Sequence, residues 1–111
     1  MVEPAIVKAV QSYVAAVRHN GIKASRAVVF GSCARGDAHP DSDVDVLVIA
    51  PEFDGLYDKH RVDLLWELRA QTDSRIEPMP VGERQWREDG TSVILEMARR
   101  EGQEIPLPLA Q

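Results

Sequence analysis

Cysteine is nearly missing from this chain of 111 residues: Cys33 stands alone, which excludes an internal disulfide and any zinc framework built on paired thiolates. Such usage points to the reducing cytoplasm. Long apolar runs are missing too. No stretch approaches the roughly 20 residues of a membrane span, and Glu3-Pro4 stand where a signal peptide would carry its charged-then-apolar pattern. Basic residues are outnumbered, 13 Lys and Arg against 18 Asp and Glu for a net charge of −5, with no clustered basic face of the kind that duplex-binding modules carry. No direct nucleic-acid partner is expected, whereas a nucleotide held through metal is compatible with an acidic chain. Rossmann and Walker glycine patterns are absent, as are repeats and low-complexity segments. What is left, 44% apolar and 28% charged, is the composition of an ordinary globule, and the length suits one domain over residues 1–111.

Helix and strand patterns alternate along it. Ile6, Val10, Tyr13, Val14 and Val17 recur at helical spacing from Pro4 to about His19, with Asn20-Gly21 as the stop. Arg26 to Phe30 is a β-branched run closed by Gly31, hence a buried strand. Ser32 suits the N-cap of a short turn through Cys33, Ala34 and Arg35, and Gly36 through Ser42 is a loop by its turn residues. Asp43 to Ile49 is apolar on both faces beyond its aspartates, which predicts a central strand. After a loop over Pro51–Gly55, Leu56 to about Ala70 predicts a helix with Val62, Leu65, Trp66 and Arg69 on its stripe and Trp66 in the core. Arg75 to Val81 reads as a strand, but Pro78 and Pro80 make it short, or an edge, or finished soon after Glu77. Trp86 falls in a polar linker. Thr91 to Glu101 returns to helix, with Val93, Ile94, Met97 and Ala98 on one face and Gly102 as the stop, and Gln103–Ile105 suits a last extended piece. The pattern predicts an α/β (α+β) fold, a small mixed β-sheet covered by helices.

The chemistry concentrates between Val28 and Ile49. Strand alternation sends Asp43 and Asp45 to one face and Val44, Val46 and Val48 to the other. Paired carboxylates suit Mg²⁺, which takes oxygen ligands, keeps one or two protein carboxylates and completes its shell with water and substrate phosphates. A two-metal site clamps both the attacking and the leaving oxygen of an in-line displacement, and for that a third carboxylate is needed. Glu77, inside the next strand, is the better candidate and Asp73, in the turn before it, the weaker. Phosphoryl and nucleotidyl transfer need positioning and charge neutralisation more than covalent work. Gly31 lets backbone approach a phosphate, Ser32 offers a hydroxyl and an N–H, and Arg35 a planar cation. His39 and His60 read as surface histidines, and Cys33 as a packing residue because no histidine is placed as its base.

Gly31-Ser32, a gap of ten residues from Cys33 to Ser42, then Asp43-Val44-Asp45 resembles the signature of the nucleotidyltransferase superfamily with a DNA polymerase β-like palm, and the short length resembles its minimal branch. Ala34-Arg35-Gly36 strengthens the likeness, and Ala98-Arg99-Arg100-Glu101-Gly102 extends it toward the end. The resemblance implies a Mg²⁺-dependent enzyme in which Asp43, Asp45 and Glu77 hold metal and act in catalysis. It also implies that Gly31, Ser32, Arg35 and Ser42 hold the nucleotide, ATP or another nucleoside triphosphate. The third acid of the minimal branch is more often Asp than Glu. Many members pair with a HEPN-domain RNase as antitoxin and toxin, and silence it by moving AMP onto a tyrosine. Two other readings stand beside this one: a non-catalytic antitoxin that only binds its partner, and a transferase acting on a small molecule of the aminoglycoside kind.

Overall fold

The computed structural model describes residues 1–108. Four strands form one mixed sheet in the order β3-β2-β1-β4. The strands are β1 (Arg26–Phe30), β2 (Val44–Ile49), β3 (Ile76–Val81) and β4 (Gln103–Glu104). β1 lies antiparallel to both β2 and β4, while β2 and β3 run parallel. A parallel pair needs a crossover, and α3 (Lys59–Thr72) supplies it.

The central place of β2 follows from its composition, since Val44, Val46, Leu47, Val48 and Ile49 are all buried. Val44, Val46 and Val48 face α1 (Pro4–His19) and α3, and meet Tyr13, Val17 and Leu65 in the larger core. There the buried Tyr13 hydroxyl donates to Leu65 O at 2.8 Å, joining the two helices. Leu47 and Ile49 face the other way, into a smaller core with Val28, Val81, Leu95 and Ala98. α5 (Val93–Glu101) covers that second face, with Trp86 of α4 (Glu83–Glu88) packed at its side.

Several expectations are corrected by packing. α3 starts at Lys59 and not at Leu56, because the Asp58 carboxylate accepts from the N–H groups of His60 and Arg61 and caps the helix there. Trp66 is 41% exposed and not core: Leu65 and Leu68 take the buried positions, and the Arg69 guanidinium stacks 5.0 Å from the indole centroid. Of the three expectations for the proline strand the edge one holds: it runs to Val81 at the edge of the sheet, where the missing N–H groups of Pro78 and Pro80 cost no ladder bond. Trp86 sits on a helix and not in a linker. Asp54 accepts from the Arg84 and Gln85 N–H groups and anchors that helix to the 3₁₀ turn over Pro51–Phe53. On α5 the buried face is Leu95 and Ala98, whereas Val93 is 79% exposed. No described helix is long and apolar enough to cross a membrane.

Candidate functional site

β1 ends at Phe30 opposite Asp45 of β2, and Asp45 in turn stands abreast of Glu77 on β3. Paired residues of a sheet share a face, so Asp45 and Glu77 lie on the face of Leu47, Ile49 and Val81. Parallel neighbours sit about 4.8 Å apart. Asp43 precedes β2 by one residue and is exposed, while Asp45 is half-buried.

The turn after β1 is built around this carboxylate. Gly31 adopts φ 73°, ψ −151°, and a Cβ added there would lie 2.5 Å from Asp45 Oδ2. Both the conformation and the close approach demand glycine. Gly31 is also the N-cap of α2 (Ser32–Arg35), so Ser32 is its first helical residue and not the cap expected from its hydroxyl. The Gly31 carbonyl accepts from the Ala34 and Arg35 N–H groups at 3.1 Å each. Among the described residues no backbone acceptor takes the Ser32 or Cys33 N–H, which leaves both to a ligand at the start of the turn.

Burial, followed by the like charge of Asp43, pushes the Asp45 carboxyl above its usual range, and Arg35 offsets part of this. Asp73, the weaker candidate for a third acid, is already committed. Asp73 is held by Arg75 through its backbone N–H, Nε and Nη2, which keeps its carboxyl below the ordinary range; it is a helix-end clamp rather than a site acid. Asp43, Asp45 and Glu77 form no ion pair among the described residues. Two hard carboxylates in mutual repulsion are a donor set that a divalent cation relieves, so the chemistry of Asp43 and Asp45 fits a divalent cation. Among the described residues no three His, Cys, Asp or Glu side chains converge tightly enough to hold an ion by themselves. Glu77 is brought abreast of Asp45 without closing a three-carboxylate cage.

The remaining candidates divide. Arg35 is exposed and pairs with Asp37 and Glu101. The Ser42 hydroxyl accepts from His39 N–H at 3.0 Å and closes the loop. Cys33 is buried, with Sγ 3.5 Å from Asp43 O, and burial raises its thiol pKa, so it packs under the motif. His39 and His60 are exposed. A cavity of about 410 Å³ beside the loop is lined by Glu3, Cys33, His39, Ser42 and Arg75 among others, and none of the three carboxylates lines it. Glu101 went unnoticed in the sequence; its only signal was a place at the end of the Ala98–Gly102 segment.

A family model described as a nucleotidyltransferase domain matches residues 11–88. A Methanocaldococcus jannaschii protein with a provisional name of protein adenylyltransferase is 45% identical over 40 residues, 36% of this chain and 40% of its own length. The chain therefore aligns with well under half of that relative. Among solved structures, a toxin–antitoxin complex with AMP-PNP superposes with a TM-score of 0.59 at 21% identity, over 88% of this chain and 73% of the other. The complex of a tri-AMPylated Shewanella oneidensis HEPN toxin with an MNT antitoxin gives 0.54 at 17% identity, over 92% and 73%. At these identities the superpositions establish fold.

Proposed function

This chain belongs to the nucleotidyltransferase domain family, and on that premise we propose that it moves a nucleoside monophosphate, AMP from ATP, onto a hydroxyl of a partner protein, breaking the α–β phosphoanhydride bond and releasing pyrophosphate. The partner we assign is a HEPN-type toxin and the acceptor one of its tyrosines, so that the chain acts as an antitoxin. The observation that supports the reading is the close approach of Asp45 to Gly31, which leaves no room for a side chain between the turn and the carboxylate.

In this reading Asp43 and Asp45 hold Mg²⁺, which when bound neutralises triphosphate charge and polarises the phosphorus under attack. Ser32, with the free N–H groups of its turn, orients the phosphates, and Arg35 adds a cation from the side. Glu77 accepts the proton of the attacking hydroxyl from its position abreast of Asp45. Ser42 acts at one remove, by holding the loop that leads into Asp43. The acceptor reaches the site from the side of Asp43, which is exposed. The partner assignment is supported by the fold shared with chains of toxin–antitoxin complexes.

Role-separating variants test the site. Asp43→Asn and Asp45→Asn each lower transfer of labelled AMP by about 10²-fold or more, while Glu77→Gln lowers kcat about 10²-fold with the KM for ATP little changed. Full transfer by Asp43→Asn would remove the metal-holding role assigned to the pair.

A further inference from the structure

Arg35 closes α2, and its guanidinium is gripped from two sides. Nε donates to Asp37 Oδ2 at 3.2 Å, and Nη1 lies 3.7 Å from Glu101 Oε2. Nη2, with two further N–H donors, donates no hydrogen bond among the described residues, where Nε makes the side chain's hydrogen bond to Asp37. The two acids differ in what holds them. Asp37 belongs to the same exposed surface segment as Arg35, since residues 35–41 are exposed without a break. Glu101 is fixed to the sheet. Gly102, the residue after it, packs so closely on β1 that an added Cβ would collide with Ala98 O and come within 2.8 Å of Val28 Cγ1. β4 follows at once and pairs Gln103 with Val29 and Glu104 with Val28. Glu101 is thus referenced to the strand that delivers Gly31.

We infer that Glu101 is a positioning residue: carried on the end of α5 and locked to β1 through Gly102, its carboxylate holds the Arg35 guanidinium beside the Gly31-Ser32 turn, with Nη2 left to take a phosphate oxygen of the nucleoside triphosphate. The inference rests on the nucleotidyl-transfer reading above. Arg35 N–H donates to the Gly31 carbonyl at 3.1 Å, and Gly31 itself abuts Asp45, so its cation is tied to the turn that faces a nucleotide bound there. An exposed ion pair adds little stability. An arginine side chain, however, has many rotamers to give up when it grips phosphate, and a tether removes part of that loss beforehand. The consequence falls on nucleotide affinity rather than on folding.

The test is titration of the nonhydrolysable analogue AMP-PNP with Mg²⁺ into the wild type, Glu101→Gln, Arg35→Ala and the double variant, with thermal unfolding of each. Glu101→Gln is expected to weaken binding about threefold to tenfold at unchanged Tm, as a coupled pair does. Arg35→Ala should weaken it about tenfold or more, and the double variant should bind no worse than Arg35→Ala. In turnover, Glu101→Gln raises the KM for ATP and leaves kcat nearly unchanged. Unchanged or tighter binding by Glu101→Gln overturns the inference, as does a Glu101 effect that persists in full without Arg35. A wild type that binds no nucleotide overturns the nucleotidyl-transfer reading together with the inference, whereas wild-type binding with an indifferent Glu101→Gln overturns the inference alone.

Discussion

Asp45 is half-buried against a backbone turn, beside a second acid and abreast of a third. Its raised carboxyl pKa comes first from burial and then from Asp43. A raised acid favours the folded state while it is protonated; that contribution is complete below the unfolded-state pKa and is lost as pH rises through the folded-state value. In metal-free protein the ionised Asp45 therefore weakens the fold at neutral pH. Asp45→Asn should raise Tm at neutral pH, give no gain at about pH 3 where the acid is already protonated, and lower transfer. A Tm gain that is equal at both pH values would detach it from titration. Gly31→Ala meets two obstacles, a positive φ and a Cβ 2.5 Å from Asp45 Oδ2. It is expected to cost roughly 1–3 kcal/mol and to lower transfer, measured by urea unfolding and by labelled AMP. The aspartate pair was legible because a strand repeats every two residues, so Asp43-Val44-Asp45 declares its own face. The abutment of Gly31 on Asp45 was not, since it depends on how β1 pairs with β2.

At the level of elements, the boundaries that a local signal controls were legible. α1 starts at Pro4 and ends at His19 before Asn20-Gly21, and β1 occupies Arg26–Phe30 as its β-branched run implies. Faces chosen by tertiary packing were not. Leu95, rather than Val93 or Ile94, is buried on α5 because the helix must lay Leu95 and Ala98 on Val28, Leu47 and Ile49. Leu65 and Leu68 outrank Trp66 on α3 because that helix also packs against α1, where the Leu65 carbonyl takes the Tyr13 hydroxyl. The close seat of α5 on β1 gives a sharp contrast between two glycines. Gly102→Ala drives a methyl group into Ala98 O and Val28 and should cost about 1–3 kcal/mol, whereas Gly90→Ala, with nothing within 4 Å, should change stability by at most about 0.5 kcal/mol. Chemical denaturation of the two variants decides. Equal losses would mean that α5 does not sit against β1 as described.

For the whole molecule, the arrangement separates scaffold from chemistry. The larger core fastens α1 and α3 to one face of the sheet, and the smaller core fastens α5 to the other. Asp45 and Glu77 lie on that second face, with Asp45 half-buried and Asp43 exposed just before it. In the proposed reading the acceptor hydroxyl belongs to a partner protein. The direct measurement is the intact mass of a HEPN partner after incubation with ATP, Mg²⁺ and this protein, for the wild type and for Asp43→Ala with Asp45→Ala. The account predicts a gain of one or more AMP units on the partner with the wild type and none with the double variant. An unmodified partner that is nevertheless bound and silenced by both proteins would contradict it, and would leave an antitoxin that works by binding.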